Sequence, residues 1–252
     1  FKHFRVSELL KMLQLSELDY EGYINGSVSL LDYQQNLSYL TNLDIQHIML
    51  EEQAVGNLRL KAIQANKQNP QIQLRANLNG PEGSFNASGT YTPASQQIAL
   101  NASFDQLRLR LLDPFLYGII RESSGQIGGN FNLWGKASNP QVNGSMQLDS
   151  IATVFGISGV RYRIPQETLR FDNNRIHFVE TELLDEAGNL AYLNGYLDLS
   201  DFRDVGLGLD FHTQRFQVLN TPRVDDALYY GQLFVSAAVT LRGSALNPVI
   251  NM

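Results

Sequence analysis

Apolar and polar residues alternate with a period of two along most of this chain. From Gln71, Ile72, Leu74, Ala76 and Leu78 share one parity while Gln71, Gln73, Arg75 and Asn77 take the other. The stretch from Gly83 to Tyr91 repeats the pattern, with Phe85, Ala87 and Tyr91 opposed by Ser84, Asn86, Ser88 and Thr90. Ile98, Leu100, Ala102 and Phe104 follow on the same plan. Strict alternation of this kind predicts strands with one apolar and one wet face.

The template extends over the rest of the chain. Val28 pairs in parity with Leu30, Leu43 with Ile45, and Leu58 with Leu60. Ile127, Phe131 and Leu133 form another set, as do Val142, Met146 and Leu148, then Leu169 with Phe171, and Ile176 with Phe178. Leu197 with Leu199, then Leu207, Leu209 and Phe211, then Leu233, Val235, Val239 and Leu241 complete the series. Turn residues punctuate it at Asn79-Gly80-Pro81, Thr92-Pro93, Asp172-Asn173-Asn174 and Glu186-Ala187-Gly188-Asn189, so the strands are expected to form an antiparallel meander. Helix is scarce. Ser7 is placed to cap one carrying Leu9, Leu10, Met12 and Leu13, and Asp113-Pro114 to start a second through Phe115, Leu116 and Ile119.

Two short helices do not cover the apolar face of so many strands, and that face must be buried against something. The expected fold is therefore all-β, an elongated, curled antiparallel sheet (an open, solenoid-like groove or taco) with an apolar concave face. The alternating apolar residues named above, from Val28 to Leu241, are the expected lining of that groove. A sandwich and a closed barrel are the competing ways to hide the same face. The reading is of one extended β domain over 1–252, with sub-blocks at 16–120 and 121–252, taken from a longer protein.

Composition narrows the function classes. Among 252 residues, 19 Lys and Arg stand against 25 Asp and Glu, a net charge of −6 that argues against a nucleic-acid surface. There is no cysteine, hence no disulfide framework, thiolate nucleophile or cysteine metal site. The 21 Asn and 19 Gln rival the charged residues in number, so the wet faces are largely uncharged amide. No apolar run approaches the roughly 18 residues of a membrane-spanning helix.

Catalytic chemistry finds little support. His3, His47, His177 and His212 are scattered without metal-ligand spacing. Glu51-Glu52, Asp185-Glu186 and Asp225-Asp226 are adjacent acids that read as solvated turns rather than convergent acid–base pairs. Gly125-Gln-Ile-Gly128-Gly129 lies within an alternating strand and not at a strand–helix junction, so it is no phosphate loop. Arg108 and Arg110 interleave with Leu107, Leu109 and Leu111 as one face of a strand. No cofactor is expected, and an enzyme is the least supported class.

Two segments resemble each other. Gly135-Lys-Ala-Ser-Asn-Pro-Gln-Val-Asn143 and Gly243-Ser-Ala-Leu-Asn-Pro-Val-Ile-Asn251 share the pattern G-x-A-x-N-P-x-[VI]-N, each after a glycine-led alternating strand starting at Gly125 or Gly231. With Val218-Leu-Asn-Thr-Pro-Arg-Val-Asp-Asp-Ala-Leu-Tyr-Tyr-Gly231 and Val160-Arg-Tyr-Arg-Ile164, these units resemble the C-terminal region of the TamB family, in the AsmA-like group of bacterial envelope proteins. The amide-rich style resembles Bacteroidetes members.

The resemblance implies a periplasmic, inner-membrane-anchored protein whose greasy β-groove conducts phospholipids between the two membranes. It also implies a BamA- or TamA-type outer-membrane barrel as partner. In that setting acyl chains are the expected ligand. The alternative is a chaperone or scaffold module that assists outer-membrane barrel assembly by β-strand pairing. A transmembrane β-barrel ranks third, because Tyr and Phe are spread along the strands rather than gathered into girdles.

Overall fold

The computed structural model describes residues 2–8, 20–31, 38–66, 69–114, 116, 120–156, 158–201, 204–221, 230–244 and 246–251. Its strands are β1 (Phe4–Arg5), β2 (Tyr20–Leu31), β3 (Ser38–Leu50), β4 (Gln53–Asn66), β5 (Asn69–Gly80), β6 (Gly83–Thr92), β7 (Gln97–Arg108) and β8 (Ile120–Lys136). They continue as β9 (Asn139–Phe155), β10 (Arg161–Asp172), β11 (Arg175–Leu184), β12 (Leu190–Asp198), β13 (Gly206–Thr221), β14 (Gly231–Ser244) and β15 (Pro248–Asn251). All belong to one 15-stranded sheet whose order is the order of the chain, and the sheet is not closed into a barrel. The fold is all-β and antiparallel, as the alternation predicts.

The four predicted turns fall where strands end. Asn173 and Asn174, at φ 48° and 64°, supply the two left-handed residues that a two-residue hairpin between β10 and β11 requires. The repeated G-x-A-x-N-P segments join β8 to β9 and β14 to β15, and Gly135 and Gly243 take matching φ values of 102° and 97°. Helix is confined, among the described residues, to one turn at 6–8 and a 3₁₀ turn at Leu109–Leu112. The predicted helix over Leu9–Leu13 lies outside the described residues, and so do Phe115 and Ile119 of the second.

Asp113 caps the C-terminal end of the 3₁₀ turn, and its carboxylate accepts the Ser123 backbone N–H at 2.9 Å. The same turn breaks the alternation read across Arg108–Leu111, and it is Leu107 and Leu111 that are buried.

Three strands carry an extra residue at a matching bulge. In β3, Ile45 faces Leu58 and Ile48 faces Gly56, which leaves Gln46 and His47 opposite Asn57 alone. In β11, Val179 and Glu180 stand opposite Asn194, and in β13, Gln214 and Arg215 stand opposite Ser236. The second residue of each pair is left-handed, His47 at 53°, Glu180 at 49° and Arg215 at 53°. Its freed N–H is taken by the lone residue opposite: Asn57 Oδ1 at 3.0 Å, Asn194 Oδ1 at 2.8 Å and Ser236 Oγ at 2.9 Å. Bulges bend and twist a strand, so part of the amide content serves the curvature of the sheet.

Contacts divide the chain into two compact units, Phe1–Leu107 with Gly128–Val142, and Arg108–Ile127 with Asn143–Met252. In the first, Ile24, Leu50, Ile72 and Leu107 are buried; in the second, Leu148, Ile151, Val154, Val160, Leu169, Ala191 and Phe216 are among the core.

Candidate functional site

Register turns the alternation of the first unit into rows. Ile24 faces Ile45, Ile45 faces Leu58, Leu58 faces Leu78, Leu78 faces Phe85 and Phe85 faces Phe104. The rings of Phe85 and Phe104 lie 5.1 Å apart, and Phe131 meets Phe104 edge-on at 5.7 Å. One apolar stripe therefore crosses β2 to β8. Beside it runs a row of smaller side chains, Leu43, Leu60, Ala76, Ala87 and Ala102.

The second unit repeats the device. Phe171 faces Ile176, Ile176 faces Leu197, and Leu197 faces Leu207. A parallel row runs through Leu209 and Leu241, and another through Leu193, Phe211 and Val239.

These rows are only half covered. Of the predicted lining residues, Ile72, Ile127, Leu148 and Leu169 are buried, whereas Val28 and Leu233 are 54% and 51% exposed. Leu43, Ile45, Leu58, Leu60, Leu74, Leu78, Phe85, Ile98, Leu100, Phe104, Phe131, Leu133, Val142 and Met146 are half-buried. So are Phe171, Ile176, Phe178, Leu197, Leu199, Leu207, Leu209, Phe211, Val235, Val239 and Leu241. The Leu30 side chain lies outside the described residues.

At one end of the second unit the apolar lane is filled by the protein itself. The β11–β12 hairpin turns early, at Asp185–Asn189, and the longer β9–β10 and β13 strands meet beyond it. Tyr162 of β10 stacks on Phe216 of β13 at 5.2 Å, Phe155 and Phe211 add edge contacts to the pair, and the Tyr162 hydroxyl donates to the Gln217 carbonyl at 3.1 Å. Asn220 N–H donates to the Ser158 carbonyl at 2.8 Å. Gly159, at φ 65°, is required there, because a Cβ would strike the Asn220 carbonyl oxygen. Burial pushes the Tyr162 hydroxyl above its ordinary value, and the Asp185 charge adds to the effect, against a lowering contact from Ser158.

Beneath this cap lies Asp185, wholly buried rather than in the solvated turn its sequence position indicates. Its carboxylate accepts from Asn189 N–H and Asn189 Nδ2 at 2.8 Å each, and from Gln217 N–H at 2.9 Å. Burial raises the carboxyl, but these donors, with the Ala187 N–H, outweigh it and hold Asp185 below the usual carboxylate range. Thr181, also buried, has a hydroxyl without a hydrogen-bond partner among the described residues.

The opposite face is wet in both units, but its charges are arranged differently. In the second unit Arg121, Arg161, Arg170, Arg175 and Arg242 each reach a carboxylate within 4 Å. In the first, the polar face of β2 to β8 holds three adjoining depressions of about 490, 420 and 400 Å³, where Arg59, Lys61 and Arg75 are exposed. Among the described residues there is no cluster of His, Asp and Glu fit to hold a metal, and no helix long and apolar enough to cross a membrane.

Sequence reading found the rows but missed the cap. Phe216 escapes it because the bulge at Gln214–Arg215 reverses parity within β13. The signal for that reversal was available in the loss of alternation after Phe211.

Neither the curated proteins nor the solved structures contain a match to this chain. The family model described as the TamB C-terminal domain matches residues 180–252, from within β11 to the end of the chain. The C-terminal stretch of this chain, less than a third of its length, is therefore similar to that domain.

Proposed function

We propose that this chain is a section of a periplasmic hydrophobic conduit that carries phospholipids between the inner and outer membranes. The observation that carries the reading is the stripe Ile45–Leu58–Leu78–Phe85–Phe104, half-buried along its length. Full burial of each such side chain is worth about 1.5–3 kcal/mol, so an acyl chain laid along the stripe recovers what the fold leaves unused. Burial of this kind has no direction, which lets chains slide and discriminates weakly among them. The headgroup stays at the wet margin. The full-length protein is anchored in the inner membrane and reaches a BamA- or TamA-type barrel.

The test is native mass spectrometry of protein purified from a bacterial host without detergent, followed by organic extraction. Phospholipid that accompanies the wild type and is lost from folded Leu74→Asp or Phe131→Asp variants supports conduction, because a charge there must be desolvated beside hydrocarbon. A lipid-free wild type, or lipid retained by both variants, refutes it.

A second reading, assistance to outer-membrane barrel assembly, is favoured by the edge of the sheet. β15 pairs only with Thr240–Gly243 of β14, and beyond that point β14 has no further strand on its outer side among the described residues. Leu233 and Phe234 are exposed there. An open edge with apolar side chains accepts an added strand from a client or barrel.

A further inference from the structure

The polar face of the first unit carries an unused concentration of positive charge. Lys61 and Arg75 are direct cross-strand partners on β4 and β5. Arg59 lies two residues from Lys61 on the same face and is opposite Asn77, which places it diagonally across from Arg75. Directly opposed side chains have Cβ atoms about 4.5–5.5 Å apart, and diagonal ones about 7–8 Å. Like charges set opposite each other destabilise a sheet. Asp44 of β3 stands directly opposite Arg59, but none of the three cations makes an ion pair within 4 Å or a side-chain hydrogen bond among the described residues, in contrast to the arginines paired in the second unit.

All three line the depression of about 490 Å³, together with Asn25, Asn42 and Asp44. Asp44 is the single carboxylate in that lining and already accepts from Gln46 Nε2 at 2.8 Å. Three cations against one carboxylate leave two positive charges in an otherwise acidic protein.

We propose that this depression binds a phosphate monoester. The chemistry fits in three respects. A monoester carries about −1.5 to −2 charges at pH 7, which matches the surplus. Its three terminal oxygens suit several convergent donors, whereas a carboxylate offers two oxygens in one plane. The Arg59 and Arg75 guanidinium forks and the Lys61 ammonium supply such donors, with Asn42 and Asn77 beside them. The site faces away from the apolar stripe and does not depend on what the stripe carries. The monoester is either soluble or displayed on a lipid.

Calorimetric titration with inorganic phosphate tests this, at matched ionic strength with chloride as the control anion. Saturable binding is expected at pH 7.5. Arg75→Gln and Lys61→Gln are expected to weaken it about tenfold or more each, since a charge-assisted hydrogen bond is lost. Binding is also expected to weaken between pH 7.5 and 5.5, as phosphate loses its second charge across that interval. Both substitutions relieve the facing charges, so the variants remain folded, which their melting temperatures check.

Sedimentation with phosphatidylcholine vesicles, with and without phosphatidic acid, separates the sources. Capture only by phosphatidic acid, lost in the double variant, assigns a lipid-borne monoester. Phosphate binding without vesicle capture assigns a soluble one. Wild type that binds phosphate no better than the double variant, or equally at both pH values, overturns the proposal.

Discussion

The rings of Tyr162 and Phe216 lie 5.2 Å apart with only 9° between their planes, although two whole strands separate β10 from β13 in the sheet order. This stack closes one end of the apolar lane in the second unit. Phe216 is 1% exposed, so Phe216→Ala should cost about 3–5 kcal/mol in urea unfolding. Tyr162→Phe keeps the stack and loses only the bond to the Gln217 carbonyl, and should cost about 1 kcal/mol. Equal losses for the two would show that the hydroxyl, not the ring, holds the end shut.

Asp185 gives the fold an acid sensitivity. Its folded pKa is depressed, so its contribution is fully present above the unfolded value of about 3.9 and is lost as pH falls through the folded value. Asp198, held down by Ser200 and by Arg175 at 2.9 Å, acts in the same sense. Asp185→Asn turns an acceptor into a group with donors facing donors. It should lower stability at pH 7 and flatten the decline below pH 4, measured by urea unfolding across the pH range.

Thr181 offers the opposite case. Its buried hydroxyl finds no partner among the described residues, so Thr181→Val removes an unpaired polar group without opening a cavity. Stability should be unchanged or rise by about 1–2 kcal/mol. A loss of that size would reveal a bridging water.

The bulge acceptors should each be worth about 1 kcal/mol. Asn57→Ala, Asn194→Ala and Ser236→Ala are expected to lower the urea midpoint by similar amounts, because each leaves one bulge N–H without its acceptor. Asn194→Ser should recover part of the loss, since Ser236 already does the same task with a shorter side chain.

The open edge of β14 predicts association through added strands. Leu233→Lys with Phe234→Lys should suppress concentration-dependent self-association in ultracentrifugation and shift stability by no more than about 0.5 kcal/mol, as both side chains are exposed.

Strand identity was legible from sequence wherever alternation ran unbroken, as from Ile72 to Phe104, because burial on one face writes itself into every second residue. The turns at Asn79–Pro81 and Asp172–Asn174 were legible for their backbone chemistry. Bulges were not: Gln46-His47, Val179-Glu180 and Gln214-Arg215 read as lapses in a pattern, since nothing local marks which residue will stand opposite. Asp185 was misread for a related reason. Its burial comes from β13, about thirty residues on, and no local signal distinguishes it from its solvated neighbour Glu186. The cationic depression was equally hidden, because Arg59, Lys61 and Arg75 become neighbours only through the pairing of β4 with β5.

The bulge acceptors also act as place-marks. A strand displaced by one residue turns its apolar side chains to the wrong face, but one displaced by two keeps them all where they belong. Alternation is therefore blind to even-numbered errors, and a meander of similar strands offers many. Asn57 has Val55 and Arg59 two places away, Asn194 has Tyr192 and Tyr196, and Ser236 has Phe234 and Ala238. None of these offers an acceptor on a short side chain to the bulge N–H, so a strand two residues out of step leaves that donor stranded, and one short polar side chain per bulge decides which of several equally greasy alignments is kept.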